Sequence, residues 1–233
     1  EIEFGEGAGP VAFDSFTARL KLHQGIAEGT FKAGRRRVPW RAWTQNGAPL
    51  LVIEFDGLAE EGGPAIRATL DHLDPGARRL LSDWGYPPSE MKDAGPEKVL
   101  LQRFPQGGSY AVAWHPESVS RGLTLWVALA VSEGADADTK AVEVVRRSRA
   151  RGAARLRDEQ AAWWADYWRV SGLSIPDSRL ENLYYAEMYK LACSTRPAGW
   201  PITLQGLWTL DGGMPPWSGD YHLDMNVQQT YWP

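Results

Sequence analysis

The chain has little cysteine and no long apolar run. Its 233 residues include a single cysteine, Cys193, so an intrachain disulfide is excluded. A membrane-spanning helix needs a run of about 18 apolar residues, and the sequence contains none. We therefore expect neither a disulfide framework nor a membrane partner.

A strong charge of either sign is also missing, since the formal net charge is −4. The most basic stretch, residues 146–157, is flanked by acidic residues, so we interpret it as a solvated helix face and expect no nucleic-acid partner. No cluster of His, Cys and Asp has the spacing of metal ligands, and no Gly-rich loop follows a strand as a phosphate site requires. The sequence therefore predicts no metal and no cofactor.

Residues 1–134 predict an antiparallel β-sandwich. Apolar and polar side chains alternate from Phe16 to Leu22, which is the pattern of a half-buried strand. Further short apolar runs, separated by turns rich in Gly and Pro, predict strands at residues 50–55, 65–70, 110–114 and 123–131. Short strands with no helical period between them are typical of an antiparallel sandwich.

Residues 135–172 are rich in good helix formers and predict a helical linker that Gly152 interrupts. Residues 173–233 form a third region. Its first helix is predicted to begin at Asp177 or Ser178, with Glu181 placed for a capping box, and to end near Cys193. The apolar residues of this helix recur at spacings of three and four, so we expect them to be buried: Leu180, Leu183, Tyr184, Met188 and Leu191.

Tryptophan is abundant, and seven of the twelve tryptophans fall within residues 163–232. One interpretation is core packing, because an indole buries a large area. The other is sugar binding, because the C–H face of a pyranose stacks well on an aromatic ring. The count alone leaves both interpretations open.

The last part of the chain alternates polar and apolar side chains. In an extended conformation the polar residues His222, Asp224, Asn226 and Gln228 would share one side. Trp217 and Tyr221 lie nearby in the sequence. Such a polar row suits a ligand with many hydroxyl groups, because carboxylates accept hydrogen bonds while amides and imidazoles both donate and accept them. An ordinary surface strand with its polar side in solvent is the alternative.

Several motifs in a fixed order resemble glycoside hydrolase family 95. They are Ser-Thr-Arg-Pro at 194–197, Leu-Gln-Gly-Leu-Trp at 204–208, Pro-Trp at 216–217, His-Leu-Asp-Met-Asn at 222–226 and Tyr-Trp-Pro at 231–233. The best-known members are inverting α-L-fucosidases, and some act on α-L-galactosides. The resemblance implies an α+β multidomain fold in which a β-sandwich and a helical linker precede an (α/α)6 catalytic barrel. Residues 173–233 would be the start of that barrel.

The resemblance also implies roles for individual residues. The family segment that matches residues 222–226 is typically His-x-Asn-x-Asn, so His222 would bind sugar and Asn226 would position the attacking water. Asp224 stands where the fucosidases have Asn, and it would assist the base or bind sugar hydroxyls. Gln205, Trp217 and Tyr221 would line the substrate site. The Asp leaves the choice between an L-fucose-like and an L-galactose-like sugar open.

An inverting glycosidase needs a general acid and a general base. In the resembled family both lie downstream of these motifs, so we expect the chain to be a piece of a longer protein and to be inactive alone. The expected partners are an oligosaccharide or glycoconjugate substrate and the remainder of the parent polypeptide. Polysaccharide degradation favours a secreted or periplasmic location.

Two other functions remain compatible with the motifs. A glycoside phosphorylase on a related barrel would use phosphate in place of water and base. A non-catalytic carbohydrate-binding protein would keep the barrel and lack the acid.

Overall fold

The computed structural model describes residues 2–4, 14–33, 35–57, 66–68, 75–120, 122–196, 199, 201–207 and 216–231. The strands in these ranges are β1 Ile2–Phe4, β2 Ser15–Lys21, β3 Ile26–Ala33, β4 Arg36–Thr44, β5 Leu50–Asp56, β6 Ile66–Ala68, β7 Glu90–Ala94, β8 Glu97–Arg103, β9 Ser109–Val119 and β10 Gly122–Ser132. The helices are α1 Pro75–Asp83, α2 Ala137–Arg151, α3 Ala153–Trp168, α4 Ser178–Ser194 and α5 Met225–Thr230. None of the described helices combines the length and apolar character needed to cross a membrane.

The chain divides into two compact units. The first comprises Glu1–Asp71 and Gly85–Val170, and therefore holds all of the strands together with α2 and α3. The second comprises His72–Trp84 and Ser171–Pro233, and holds α1, α4 and α5.

An antiparallel sheet dominates the first unit. Eight strands follow the order β2-β3-β4-β5-β10-β9-β8-β7, and β1 pairs separately with β6. Trp126 at the centre of β10 lies opposite Val52 of β5 on one side and His115 of β9 on the other. The predicted antiparallel strands and the α+β class are confirmed, whereas the sequence pattern had missed β1, β3, β4, β7 and β8.

One face of this sheet packs against helices. Alternate side chains of the central strands, including Val52 and Trp126, are buried together with Val145 of α2 and Leu156 of α3. This pattern follows from strand geometry, because successive side chains point to opposite faces. Within the described residues, the partner of this face is a helical layer.

The opposite face of the sheet is apolar but only partly covered. Its centre is buried in two smaller clusters built around Phe31, Phe55 and Trp114. Apolar side chains on the same face are exposed on the edge strand β2 and near the end of the central strand β10, with Phe16 at 61% and Val131 at 62%. The half-buried strand predicted from Phe16 to Leu22 forms as β2, but its side chains are exposed on both faces among the described residues, since β2 is the edge strand of the sheet.

A buried carboxylate links the sheet to α2. The Glu97 side chain is 1% exposed, and its Oε2 accepts hydrogen bonds from Arg146 Nε at 3.1 Å and Nη2 at 2.8 Å. Arg149 Nη1 lies 3.5 Å from Glu97 Oε1, and its Nη2 donates to Glu117 at 3.0 Å. The solvated helix face predicted for residues 146–157 is therefore confirmed only in part, because Arg146 and Arg149 bind a buried carboxylate of the sheet. Arg147 and Arg155 are 75% and 70% exposed.

Glycine separates α2 from α3, as the sequence predicted. Gly152 has a positive φ of 84°, and its N–H donates to the carbonyls of Ser148 and Arg149, which ends α2. Only glycine adopts such a φ without a steric cost. Beyond it, Arg157 of α3 donates to Glu54 of the sheet at 2.7 Å, so both helices are tied to the same face.

The aromatic end of α3 packs internally. Trp163 stacks on Tyr167 and Trp164 stacks on Trp168, at centroid distances of 5.6 and 5.8 Å. The indole N–H of Trp168 donates to the Leu22 carbonyl at 3.2 Å. For these tryptophans the structure favours the packing interpretation.

The start of α4 agrees with the predicted cap, but its environment does not agree with the predicted burial. Asp177 Oδ1 accepts from the backbone N–H groups of Arg179 and Leu180, which confirms it as the N-cap. The capping box is wrong, since Glu181 accepts instead from the N–H of Ile175. Leu180 and Leu183 are 56% and 54% exposed, because no described residue covers that side of the helix.

Candidate functional site

The described motif residues from position 201 onward lie on three short segments. They are the loop 201–207, a 3₁₀ turn at Pro216–Gly219, and the stretch that leads from Asp220 into α5. The loop holds the turn at both ends, because the Leu204 N–H donates to the Asp220 carbonyl at 3.0 Å and Gln205 Nε2 donates to the Pro216 carbonyl at 3.2 Å. The candidate site is thus built on a hydrogen-bonded frame.

The predicted extended row at residues 222–228 is wrong. Residues 225–230 form α5, and Asp224 occupies its N-cap position with its carbonyl accepting from the Val227 N–H. The Asp224 side chain itself makes no capping hydrogen bond. Residues two apart on a helix point about 200° apart, so Asn226 and Gln228 do not share one side.

His222 lies beside a carboxylate that the sequence analysis did not single out. Its Nε2 is 2.8 Å from Asp220 Oδ1, within hydrogen-bond distance. The Trp217 ring meets the imidazole edge-on, with centroids 6.5 Å apart and an interplanar angle of 63°. The Asp-x-His spacing was the signal in the sequence that could have predicted this pair.

Trp217 is held in an uncommon backbone conformation. Its φ is 49°, and among the described residues it is the one non-glycine with positive φ. Its side chain is nevertheless 71% exposed, and Tyr221 close by is 40% exposed. A non-glycine residue in such a backbone conformation costs about 1–3 kcal/mol of strain, and residues of this kind cluster at active sites and ligand-binding sites. Trp217 combines this strain with an exposed indole, which favours a role in binding.

A cavity of about 300 Å³ lies between α4, the loop 201–207 and α5. Its volume matches the lower end of small-molecule sites. Gln205 contributes a buried side-chain oxygen that has no hydrogen-bond partner among the described residues. The lining is mostly polar: Glu187, Lys190, Leu191, Ser194, Ile202, Thr203, Leu204, Gln205, Gly206, Gln229 and Thr230.

The predicted site residues are therefore only partly brought together. His222 and Trp217 are in contact, and Gln205 anchors the turn that carries Trp217. Asp224 and Asn226 are exposed at the start of α5. Trp200, Trp208 and Trp232 lie outside the described residues.

Nucleophilic and metal chemistry have little support in the described part of the chain. Burial raises the pKa of the Cys193 thiol despite the opposing hydrogen bond from Tyr189 and charge of Arg196, which disfavours the reactive thiolate. The described residues contain no group of three side chains that could hold a metal ion. The candidate chemistry consists of an imidazole, carboxylates, amides and exposed aromatic rings.

Comparison with known proteins identifies the region that carries this site. Residues 149–233 match the glycosyl hydrolase family 95 catalytic domain. "Probable alpha-fucosidase A" of Aspergillus niger (strain ATCC MYA-4892 / CBS 513.88 / FGSC A1513) is 44% identical over 65 residues, 27% of this chain and 8% of the relative. "Alpha-L-fucosidase 2" of Arabidopsis thaliana is 42% identical over 74 residues, 32% of this chain and 9% of the relative.

These matches confirm the resemblance that the motifs indicated. The chain spans less than a tenth of the length of either relative, since the matched shares are 8% and 9%. The matched region begins within α2 and includes the loop 201–207, the 3₁₀ turn and α5. Residues 149–233 are therefore similar to the catalytic domain of glycosyl hydrolase family 95.

Proposed function

We propose that this chain supplies sugar- and water-positioning residues to an inverting glycoside hydrolase that cleaves α-linked L-fucose-like or L-galactose-like sugars. The observation that carries the proposal is the coincidence of the family 95 match with the site around Trp217 and His222. The fucosidase names of the two relatives support the substrate class.

Each side chain has a role that its chemistry permits. His222 contacts a sugar hydroxyl, and the exposed rings of Trp217 and Tyr221 offer apolar faces to the pyranose. Asp224 and Asn226 at the start of α5 orient the attacking water, Asp224 as an acceptor and Asn226 as donor or acceptor. Gln205 fixes the turn through its bond to the Pro216 carbonyl, and its side chain lines the cavity.

The remaining catalytic groups belong to the parent polypeptide in this proposal. Inversion requires an acid and a base about 6.5–9.5 Å apart, with water beside the base. We place both outside this chain, so the 233-residue chain alone is expected to bind sugar weakly and to show no turnover.

The proposed architecture is a β-sandwich over 1–134, a helical linker over 135–172 and the start of an (α/α)6 barrel over 173–233. Two exposed apolar surfaces support it. Phe16 and Val131 are exposed on the sheet face opposite the helices, where a second sheet would pack, and Leu180 is exposed on α4, where barrel helices would pack. A secreted or periplasmic location would bring such an enzyme to its polysaccharide substrates.

The test is an assay of the full-length protein that contains this chain, with 4-nitrophenyl α-L-fucoside and α-L-galactoside. We expect turnover of at least one substrate, with the β-anomer as the first product in time-resolved proton NMR. Retention of the α-anomer would contradict inversion. Turnover that requires phosphate would instead indicate a phosphorylase, and sugar binding without turnover would indicate a non-catalytic binding protein.

A further inference from the structure

Asp220 and His222 form a pair whose geometry determines what the imidazole offers to a ligand. His222 Nε2 lies 2.8 Å from Asp220 Oδ1. In a neutral imidazole one nitrogen carries the proton and the other accepts, and the hydrogen bond made by one nitrogen sets the role of the other. Because a carboxylate only accepts, Nε2 carries the proton and Nδ1 keeps its lone pair.

The backbone holds Asp220 from two directions. Its N–H donates to the Trp217 carbonyl at 3.1 Å, and its carbonyl accepts from the Leu204 N–H at 3.0 Å. The Trp217 ring packs edge-on against the His222 imidazole. The carboxylate and the indole thus restrict the same imidazole ring.

Stability does not account for this pair. The side chains of His222 and Asp220 are 32% and 55% exposed, and ion pairs at such exposure contribute only about 0–1 kcal/mol. What the pair does provide is a defined ring orientation next to an exposed indole.

We propose that Asp220 is a positioning residue that holds His222 through Nε2, so that Nδ1 accepts a hydrogen bond from a sugar hydroxyl. The role rests on the proposed function, in which His222 contacts the sugar. Trp217 borders the same position, so a pyranose would meet the indole and the ring nitrogen together.

The pairing is tested first on the 233-residue chain by long-range ¹H–¹⁵N NMR of its four histidines. The His222 signals are assigned at about pH 8 by their loss in His222→Gln. We expect an observable, hydrogen-bonded Nε2–H in the unmodified chain. Asp220→Ala should abolish that signal and average the two ring shifts, whereas Asp220→Asn retains an accepting oxygen and should preserve it.

Asp158→Ala is the matched control, because Asp158 is an exposed aspartate on α3 in the other unit. It should leave the His222 shifts unchanged. Unchanged His222 signals in Asp220→Ala would overturn the positioning role, whether or not the full-length protein has glycosidase activity.

The second measurement uses the full-length protein. Mutation of a carboxylate that orients a metal-binding histidine typically lowers metal affinity or activity about 10–100-fold. We expect Asp220→Ala to lower kcat/KM by a similar factor. Asp220→Asn should retain most of the kcat/KM of the unmodified protein. Unaltered kcat/KM in Asp220→Ala, with the unmodified protein active, would refute the positioning role alone. Absence of glycosidase activity in the unmodified protein would refute the proposed function, while the NMR result would still decide the pairing.

Discussion

Replacement of Glu97 by alanine is expected to loosen α2 from the sheet. The carboxylate is 1% exposed and accepts from Arg146 at 2.8 Å, with Arg149 3.5 Å away. Removing one partner of a buried ion pair typically costs about 3–5 kcal/mol. Arg146 is 55% exposed and can turn to water, so we expect the lower end, about 3 kcal/mol of the free energy of unfolding.

Urea unfolding followed by circular dichroism measures this loss. With a typical slope of about 1–3 kcal/mol per molar urea, the Glu97→Ala midpoint should fall by about 1–3 M. Glu143→Ala is the matched control, because Glu143 pairs with Arg147 on the exposed side of the same helix, where about 0.5 kcal/mol or less is expected. A Glu97→Ala midpoint as close to the unmodified chain as that of Glu143→Ala would refute the reasoning.

The same carboxylate predicts a pH dependence. Burial by itself would raise the pKa of Glu97, but the hydrogen bonds and charge of Arg146 outweigh it and hold the pKa below its ordinary value. A group with a lowered folded-state pKa stabilises the fold above its unfolded pKa of about 4.3, and this contribution is lost as the pH falls through the folded value. The unmodified chain should therefore lose more stability than Glu97→Gln between pH 6 and pH 3. Equal losses would contradict this.

Three further substitutions have definite expected outcomes. Gly25→Ala should lower the unfolding temperature by several degrees, because the φ of Gly25 is 61° and the new Cβ would lie 1.9 Å from Trp164 Nε1. An unchanged unfolding temperature would contradict this and show that the indole can move aside. In the full-length protein, Asp224→Asn should reduce turnover of α-L-fucosides and α-L-galactosides by about 100-fold or more if Asp224 assists the base; full activity would make Asp224 structural. Trp217→Ala should raise KM about 2–10-fold at little cost in stability, since an aromatic contact is worth about 0.5–1.5 kcal/mol; an unchanged KM would exclude ring stacking.

Much of the local structure could be predicted from the sequence. The break at Gly152, the N-cap at Asp177 and the strands β2, β5, β9 and β10 all follow from patterns within a few residues. Conformational preference and side-chain alternation act over that range, so neighbouring residues contain the information. The family motifs were also visible directly, and the match over residues 149–233 agrees with them.

The candidate site was harder to predict from the sequence, because the local pattern of polar and apolar residues indicated the wrong secondary structure. Alternation favoured a strand at residues 222–228, whereas residues 225–230 form a helix although the Asp224 side chain makes no capping hydrogen bond. Asp220 was overlooked because its role depends on where its carboxylate lies relative to His222. A spacing of two residues permits that contact without requiring it.

The sequence by itself excluded an intrachain disulfide, indicated element boundaries through caps and turns, and showed the resemblance of the carboxyl-terminal region to glycoside hydrolase family 95. Only the tertiary structure decided that Glu97 is buried against Arg146, 49 positions away, and that Gln205 holds the turn carrying Trp217. It also decided that Leu180, apolar and helical as predicted, is exposed among the described residues. Burial and ion pairing depend on which distant segments meet in space, and no local pattern encodes that.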